Sequence, residues 1–167
     1  DGSTLDMSKG NSQICYNYCA GTTTDGGAVY LKSDCTVIGG YVHDNLADDY
    51  GGGVRANGGN IFIKDVVIYK NKAKEYGGGL YVQRTWSDQT VVVSGCKIVE
   101  NSAPDGGGGA YLYNLYLTKF IDCIIEDNKA DEGGAGICVN CATGTDVSVG
   151  GKMIIRNNLE GPEGKEV

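Results

Sequence analysis

The stretch Cys96-Lys97-Ile98-Val99-Glu100-Asn101-Ser102-Ala103-Pro104-Asp105-Gly106-Gly107-Gly108-Gly109-Ala110-Tyr111-Leu112 decides the fold. An aliphatic residue stands three places before an Asn, a small residue two places after it, and a Gly tract closes eight places after it. The same order recurs along the chain. Asn45, Asn71, Asn101, Asn128 and Asn158 follow Val42, Ile68, Ile98, Ile125 and Ile155 by three residues each. Gly53, Gly79, Gly109 and Gly136 close tracts eight residues after the first four asparagines, and Gly26-Gly27 precedes them all. From a closing Gly to the next Asn the interval varies from 18 to 22 residues, so the period runs from 26 to 30. A repeat rigid in one part and elastic in another describes stacked units with insertions on one side.

Within each unit the apolar residues alternate. Gly40, Val66, Cys96, Cys123 and Met153 stand five places before the Asn, and Ala47, Ala73, Ala103 and Ala130 two places after it, with Glu160 in the last copy. Small or apolar residues two apart mark a strand with one buried face. After the Gly tract, Ala28, Val54, Leu80, Ala110 and Ile137, then Tyr30, Ala56, Val82, Leu112 and Val139, predict a second inward face. Val29, Arg55, Tyr81, Tyr111 and Cys138 lie between them and are expected to face out. Helical spacing is missing, and each Gly would cost a helix about 1 kcal/mol.

The expected fold is therefore all-β, a single-stranded parallel β-helix of about five to six coils, with equivalent positions about 4.8 Å apart on adjacent coils. Residues 1–22 are expected to form an N-terminal cap or irregular coil, residues 23–160 the repeats, and residues 161–167 a tail or the start of a further coil. The Gly column (Gly27, Gly53, Gly79, Gly109 and Gly136) is expected to supply positive φ at tight bends. The Asn column is expected to form an amide ladder, each side chain donating to the Asn on the next coil.

Gly26-Gly27-Ala28-Val29, Gly77-Gly78-Gly79-Leu80 and the aliphatic-x-x-Asn signature resemble the repeats of polymorphic outer-membrane proteins and of related bacterial surface adhesins. The resemblance covers about residues 23 to 160. Where the family's motif opens on Phe, this chain has Val or Ile in all five copies. The resemblance implies a right-handed parallel β-helix displayed at a cell surface for adhesion. It carries over no catalytic residue.

Composition sets the remaining bounds. The net charge of −7 and the missing basic stripe argue against nucleic acid as a partner. No apolar run approaches the roughly 18 residues that span a bilayer. A chain opening on Asp1 is expected to be a processed product or a segment of something longer. Seven cysteines suit an extracellular protein with disulfides. Cys96 and Cys123 hold equivalent positions in successive units, within disulfide reach. Cys138-x-x-Cys141 and Cys15-x-x-x-Cys19 are further candidates for pairing, and the odd cysteine for an intermolecular bond.

Three constellations remain as sites. Asp49, Glu75, Asp105 and Glu132 each stand four places after an Asn. Stacked carboxylates repel unless a cation lies between them, so the column reads either as a Ca²⁺ site or as a solvated turn. Tyr81, Trp86, Tyr111 and Tyr113 read as a ligand face, because exposed rings on a rigid β surface stack on sugars or bury against a protein. The only histidine, His43, is expected to face out; with Asp44, Asp48, Asp49 and Arg55 it gives no specific catalytic spacing. The only Thr run, Thr22-Thr23-Thr24, is too short for a flat ice-binding ladder.

The sequence thus predicts a secreted or surface-displayed structural and adhesive rod. Its expected partners are glycans, proteins or copies of itself joined head to tail in a fibre. A carbohydrate-active lyase or hydrolase, or a glycan-binding module, is the alternative.

Overall fold

The computed structural model describes residues 2–21, 26–83, 88–115, 117–141 and 146–161. Trp86, Tyr116 and the Thr22-Thr23-Thr24 run lie outside the described residues, as do residues 162–167.

An incomplete first coil carries β1 (Ser3–Asp6), β2 (Gln13–Cys15) and β3 (Tyr18–Cys19). The second holds β4 (Val29–Lys32), β5 (Cys35–Ile38), β6 (Tyr41–His43) and β7 (Leu46–Ala47). The third holds β8 (Val54–Asn57), β9 (Ile61–Lys64), β10 (Val67–Tyr69) and β11 (Lys72–Ala73). The fourth holds β12 (Leu80–Gln83), β13 (Thr90–Ser94) and β14 (Lys97–Val99), with Ser102 bridging Lys72 and Lys129 in place of a short strand. The fifth holds β15 (Ala110–Tyr113), β16 (Leu117–Ile121), β17 (Ile124–Glu126) and β18 (Lys129–Ala130). The sixth closes with β19 (Ile137–Asn140), β20 (Asp146–Gly150), β21 (Ile154–Arg156) and β22 (Leu159–Glu160).

Each strand pairs in parallel with its counterpart one coil away. Sheet A runs β1-β5-β9-β13-β16-β20 and sheet B runs β2-β6-β10-β14-β17-β21. Sheet C collects the two-residue strands β3, β7 and β11, and β18 with β22. Sheet D runs β4-β8-β12-β15-β19, with no strand from the first coil among the described residues. The chain is thus an all-β solenoid of five full coils and one incomplete coil. Residues 3–19 pair in register with the coil that follows, so this stretch is part of the stack.

The core is a set of columns, since in a parallel stack like sits on like. Val42, Ile68, Ile98 and Ile125 form one fully buried column, and Val37, Ile63, Val93 and Phe120 another. Thr118 interrupts the column of Ile61 and Val91, and its buried hydroxyl has no hydrogen-bond partner. Thr118→Val keeps the shape and removes that unpaired group, so it is expected to raise stability by about 1 kcal/mol. Thermal melting checks this, and a lowered melting temperature would contradict it.

Two expectations need correction. The structure pairs Val29, not Ala28, with Val54, so Val29 and Leu31 face in while Tyr30 faces out. The first Gly tract is shorter than the others, and Ala28 fills the position that Gly53 and Gly79 hold. The closing glycines are also not the bends. Positive φ falls instead two places before the closing glycines, on Gly51 (64°), Gly77 (68°) and Gly107 (60°), and on the residue before each ladder Asn, such as Lys70 (54°) and Glu100 (53°). Gly53, Gly79 and Gly109 are required because neighbouring coils come too close for a side chain. A Cβ on Gly79 would lie 2.7 Å from the Gly109 carbonyl oxygen and 2.9 Å from Asn101.

Candidate functional site

The outer face of sheet D carries two rows of aromatic and polar side chains. One row runs Tyr30, Arg55, Tyr81, Tyr111 and Cys138, and the next runs Lys32, Asn57, Gln83, Tyr113 and Asn140. Tyr50 and Tyr76, paired across adjacent coils in the turn ahead of the sheet, fold over the first row. Their rings complete a stack. Tyr50 lies 5.9 Å from Tyr76 and 4.9 Å from Tyr81, while Tyr111 lies 4.4 Å from Tyr76 and 5.6 Å from Tyr81.

This stack corrects the reading of Tyr81 and Tyr111 as exposed platforms. Both face outward from the strand, yet each is only 4% exposed. Coil stacking turns ring faces toward one another along the axis, so that the rings cover each other. Burial, the largest cause, pushes the Tyr81 hydroxyl well above its ordinary pKa. Tyr113 remains half-buried beside them.

Arg55 closes one end of the stack. Its guanidinium carbon lies 5.2 Å from the centroids of both Tyr50 and Tyr81 and 5.9 Å from Tyr30, within cation–π range. Its Nη2 donates to Gln83 Oε1 at 3.2 Å. Amides of the second row tie down hydroxyls of the first: Asn57 Nδ2 donates to Tyr30 (3.1 Å) and Asn140 Nδ2 to Tyr111 (2.8 Å). Between the rows lies a groove of about 440 Å³, lined by Tyr50, Arg55, Tyr76, Tyr81, Gln83, Tyr111, Tyr113 and Asn140. That volume lies within the range of small-ligand sites, and the lining combines aromatic walls with convergent polar groups.

The other constellations do not assemble. Glu75 N–H donates to the Asp49 carbonyl and Asp105 N–H to the Glu75 carbonyl, but Glu132 N–H goes to Pro104, so the fourth carboxylate leaves the column's register. Asp105 and Glu132 are exposed, and Asp49 and Glu75 lie beside Tyr50. Among the described residues no three His, Cys, Asp or Glu side chains come together as a metal site. Asp48 is a stitch between coils: it accepts from Lys74 Nζ (2.6 Å), from the Tyr18 hydroxyl (2.9 Å) and from Gly21 N–H (3.1 Å). The Lys74 hydrogen bond, foremost, holds its carboxyl below the usual range.

The structure holds all seven cysteines as free thiols. Cys96 Sγ approaches the Ile63 and Ser94 carbonyls, and Cys123 Sγ those of Val93 and Ile121. Contact with Cys123, then burial, pushes the Cys96 thiol up. Cys138 lies on the outer row with Tyr111, whereas Cys141 packs on the core, so the two point apart. Cys15 pairs with outward His43, whereas Cys19 pairs with buried Ala47.

His43 faces out but is buried, stacked on Tyr69 at 4.5 Å. Both ring nitrogens are occupied, Nδ1 by Asp44 (2.7 Å) and Nε2 by Gln13 (3.1 Å), so neither is offered to a substrate.

The asparagines stack in series inside the turn. Asn71 N–H and Nδ2 both donate to Asn101 Oδ1 (2.9 and 3.0 Å), and Asn101 repeats this toward Asn128 (3.0 and 3.1 Å). Each Nδ2 also reaches the carbonyl of the aliphatic residue one coil back, as Asn101 does to Ile68 (3.0 Å). Asn45 and Asn158 continue the series, and Asn17, unnoticed in the repeat pattern, begins it. Its signal was present: Ile14-x-x-Asn17 fits the motif but lacks a Gly eight places on. Tyr50 and Tyr76 were likewise missed, although both stand five places after a ladder Asn.

A family model described as right handed beta helix region matches residues 4–159. No curated protein and no solved structure matches the chain.

Proposed function

We propose that this chain, which belongs to the right-handed β-helix family, is a non-catalytic adhesive module of the secreted or surface-displayed kind, and that the sheet D groove binds carbohydrate. The observation that carries this reading is the groove's lining, five tyrosines, one arginine and two amides held by contacts between coils. Ring edges, hydroxyls, amides and a guanidinium suit a hydroxylated ligand bound by hydrogen bonds, on a surface that needs no reordering to bind. Surface placement is supported by the resemblance of the repeats to those of surface adhesins.

The enzymatic reading is the weaker one. Glycoside hydrolysis ordinarily needs two carboxyl groups flanking the scissile bond, and no carboxylate is among the described groove-lining residues. The buried His43 has both nitrogens engaged.

A glycan array probed with labelled protein tests the proposal. The expected result is retention of a limited set of glycans, with affinity reduced about tenfold or more in the Gln83→Ala, Tyr113→Phe double variant, for loss of one or two hydrogen bonds. Binding of no glycan, or binding unchanged by the double variant, would overturn it. Release of new reducing ends or unsaturated sugars would favour the enzyme instead.

A further inference from the structure

We propose that the sheet D groove takes an unbranched, uncharged oligosaccharide that lies along the solenoid axis, one sugar ring to each coil. The inference rests on the carbohydrate reading of the groove and adds the class of chain and its direction. The second outer row of sheet D supplies the geometry. Gln83, Tyr113 and Asn140 line the groove from three successive coils, each paired with the next in the parallel register of β12, β15 and β19. They therefore recur about every 4.8 Å along the axis. Each keeps a polar atom to offer. Gln83 Oε1 accepts from Arg55, and Asn140 Nδ2 donates to the Tyr111 hydroxyl. Among the described residues none bonds Gln83 Nε2, the Tyr113 hydroxyl or Asn140 Oδ1. The row thus presents one unused hydrogen-bonding group per coil, beside a wall of tyrosine rings that runs the same way.

Spacing and charge choose the ligand. A 1,4-linked sugar chain, joined through opposite corners of each ring, advances by nearly the coil spacing at every ring and offers hydroxyls at each step. An extended peptide rises about 3.3 Å per residue, so its side chains on one side recur about every 6.6 Å and fall out of step with the row. The groove of about 440 Å³ has the size of a drug-sized ligand's site, larger than a single sugar ring needs. Carboxylates stand at its edge. Burial first, and then Glu75, push the Tyr50 hydroxyl up, while burial, Tyr111, Asp105 and Glu75 do so for Tyr76. The one described cation of the lining, Arg55, is 5% exposed and already lies over Tyr50 and Tyr81. An acidic sugar would meet like charge there, on a chain whose net charge is −7. A neutral sugar meets only donors, acceptors and rings.

Titration calorimetry tests it with β-1,4-linked oligosaccharides of glucose, N-acetylglucosamine, mannose, galactose and xylose, one to five residues long. Uronic-acid oligosaccharides of the same lengths are the comparison. In at least one neutral series the affinity is expected to rise about tenfold with each residue up to three, then level off, as one or two hydrogen bonds are added per ring. Uronic-acid chains are expected to bind at least about tenfold more weakly than neutral chains of equal length. Asn140→Ala removes the last of the three positions, so its affinity is expected to level off at two residues. Asn140 is exposed, and circular dichroism checks that the variant is folded. Affinity independent of length, or tighter binding of uronic-acid chains, would overturn this inference and leave the carbohydrate reading standing. A three-residue affinity unchanged by Asn140→Ala would overturn the axial placement. If none of these chains binds, the inference falls, and the glycan array decides whether the carbohydrate reading falls with it.

Discussion

Replacing Asn101 with leucine is expected to destabilise the fold by about 4 kcal/mol or more, because several buried polar groups lose their partners at once. Asn101 is fully buried. Its Oδ1 accepts from Asn71 N–H and Nδ2, and its Nδ2 donates to Ile68 O and Asn128 Oδ1. Leucine satisfies none of these groups, and water does not reach them. For a domain of this size such a loss lowers the melting temperature by roughly 10 °C. Asn57→Leu is the control. Asn57 is half-buried and gives one bond, to the Tyr30 hydroxyl, so its replacement is expected to cost less than about 1 kcal/mol. Denaturant unfolding of both variants decides the matter, and equal midpoints would remove the ladder as a source of stability.

The second large effect is steric. Gly79→Ala is expected to cost about 3 kcal/mol, the upper part of the usual overpacking range. The added Cβ meets the Gly109 carbonyl oxygen at 2.7 Å and Asn101 Cγ at 2.9 Å, and neither is the loose end of a flexible chain. Separating the coils to admit it stretches the Gly79 N–H bond to Gly108 (3.0 Å) and the Leu80 N–H bond to Gly109 (2.9 Å). Gly150→Ala is the matched comparison. It has nothing within 4 Å of its Cβ position and no positive φ, and is expected to be nearly neutral. A Gly79→Ala protein that melts with the Gly150→Ala protein would contradict the close approach of the coils.

These two columns were the most legible part of the sequence, for a physical reason. A parallel stack puts the same requirement on the same position in every coil, so a fixed spacing reports a three-dimensional column directly. The requirement itself was harder to read. The closing glycines looked like bends, but a Gly is demanded equally by positive φ and by close approach, and spacing does not separate the two. The β4 register slipped by one residue because Gly26-Gly27 is shorter than the later tracts.

The groove was legible only in part. Alternation along β12 and β15 places Tyr81 and Tyr111 on the outer face. It does not show that Tyr50 and Tyr76 fold over them from the preceding turn and convert four separate rings into one stack. Nor does it show that Gln83 and Asn140, two residues beyond Tyr81 and Cys138, complete the lining. Side of a strand follows from a period of two. Burial depends on what the turns lay across that side. The cysteines make the same point, since Cys138 and Cys141 are close in sequence and their side chains point apart.

The sheet D groove is the centre of this account, and an NMR titration of isotope-labelled protein with a glycan retained on the array tests it most directly. The Gln83 and Asn140 side-chain amides, the Arg55 guanidinium N–H and the backbone amides of β12 and β15 are expected to shift saturably, while the outer faces of sheets A and B stay still. Shifts confined to those other faces, or no saturable shift at any residue, would contradict it.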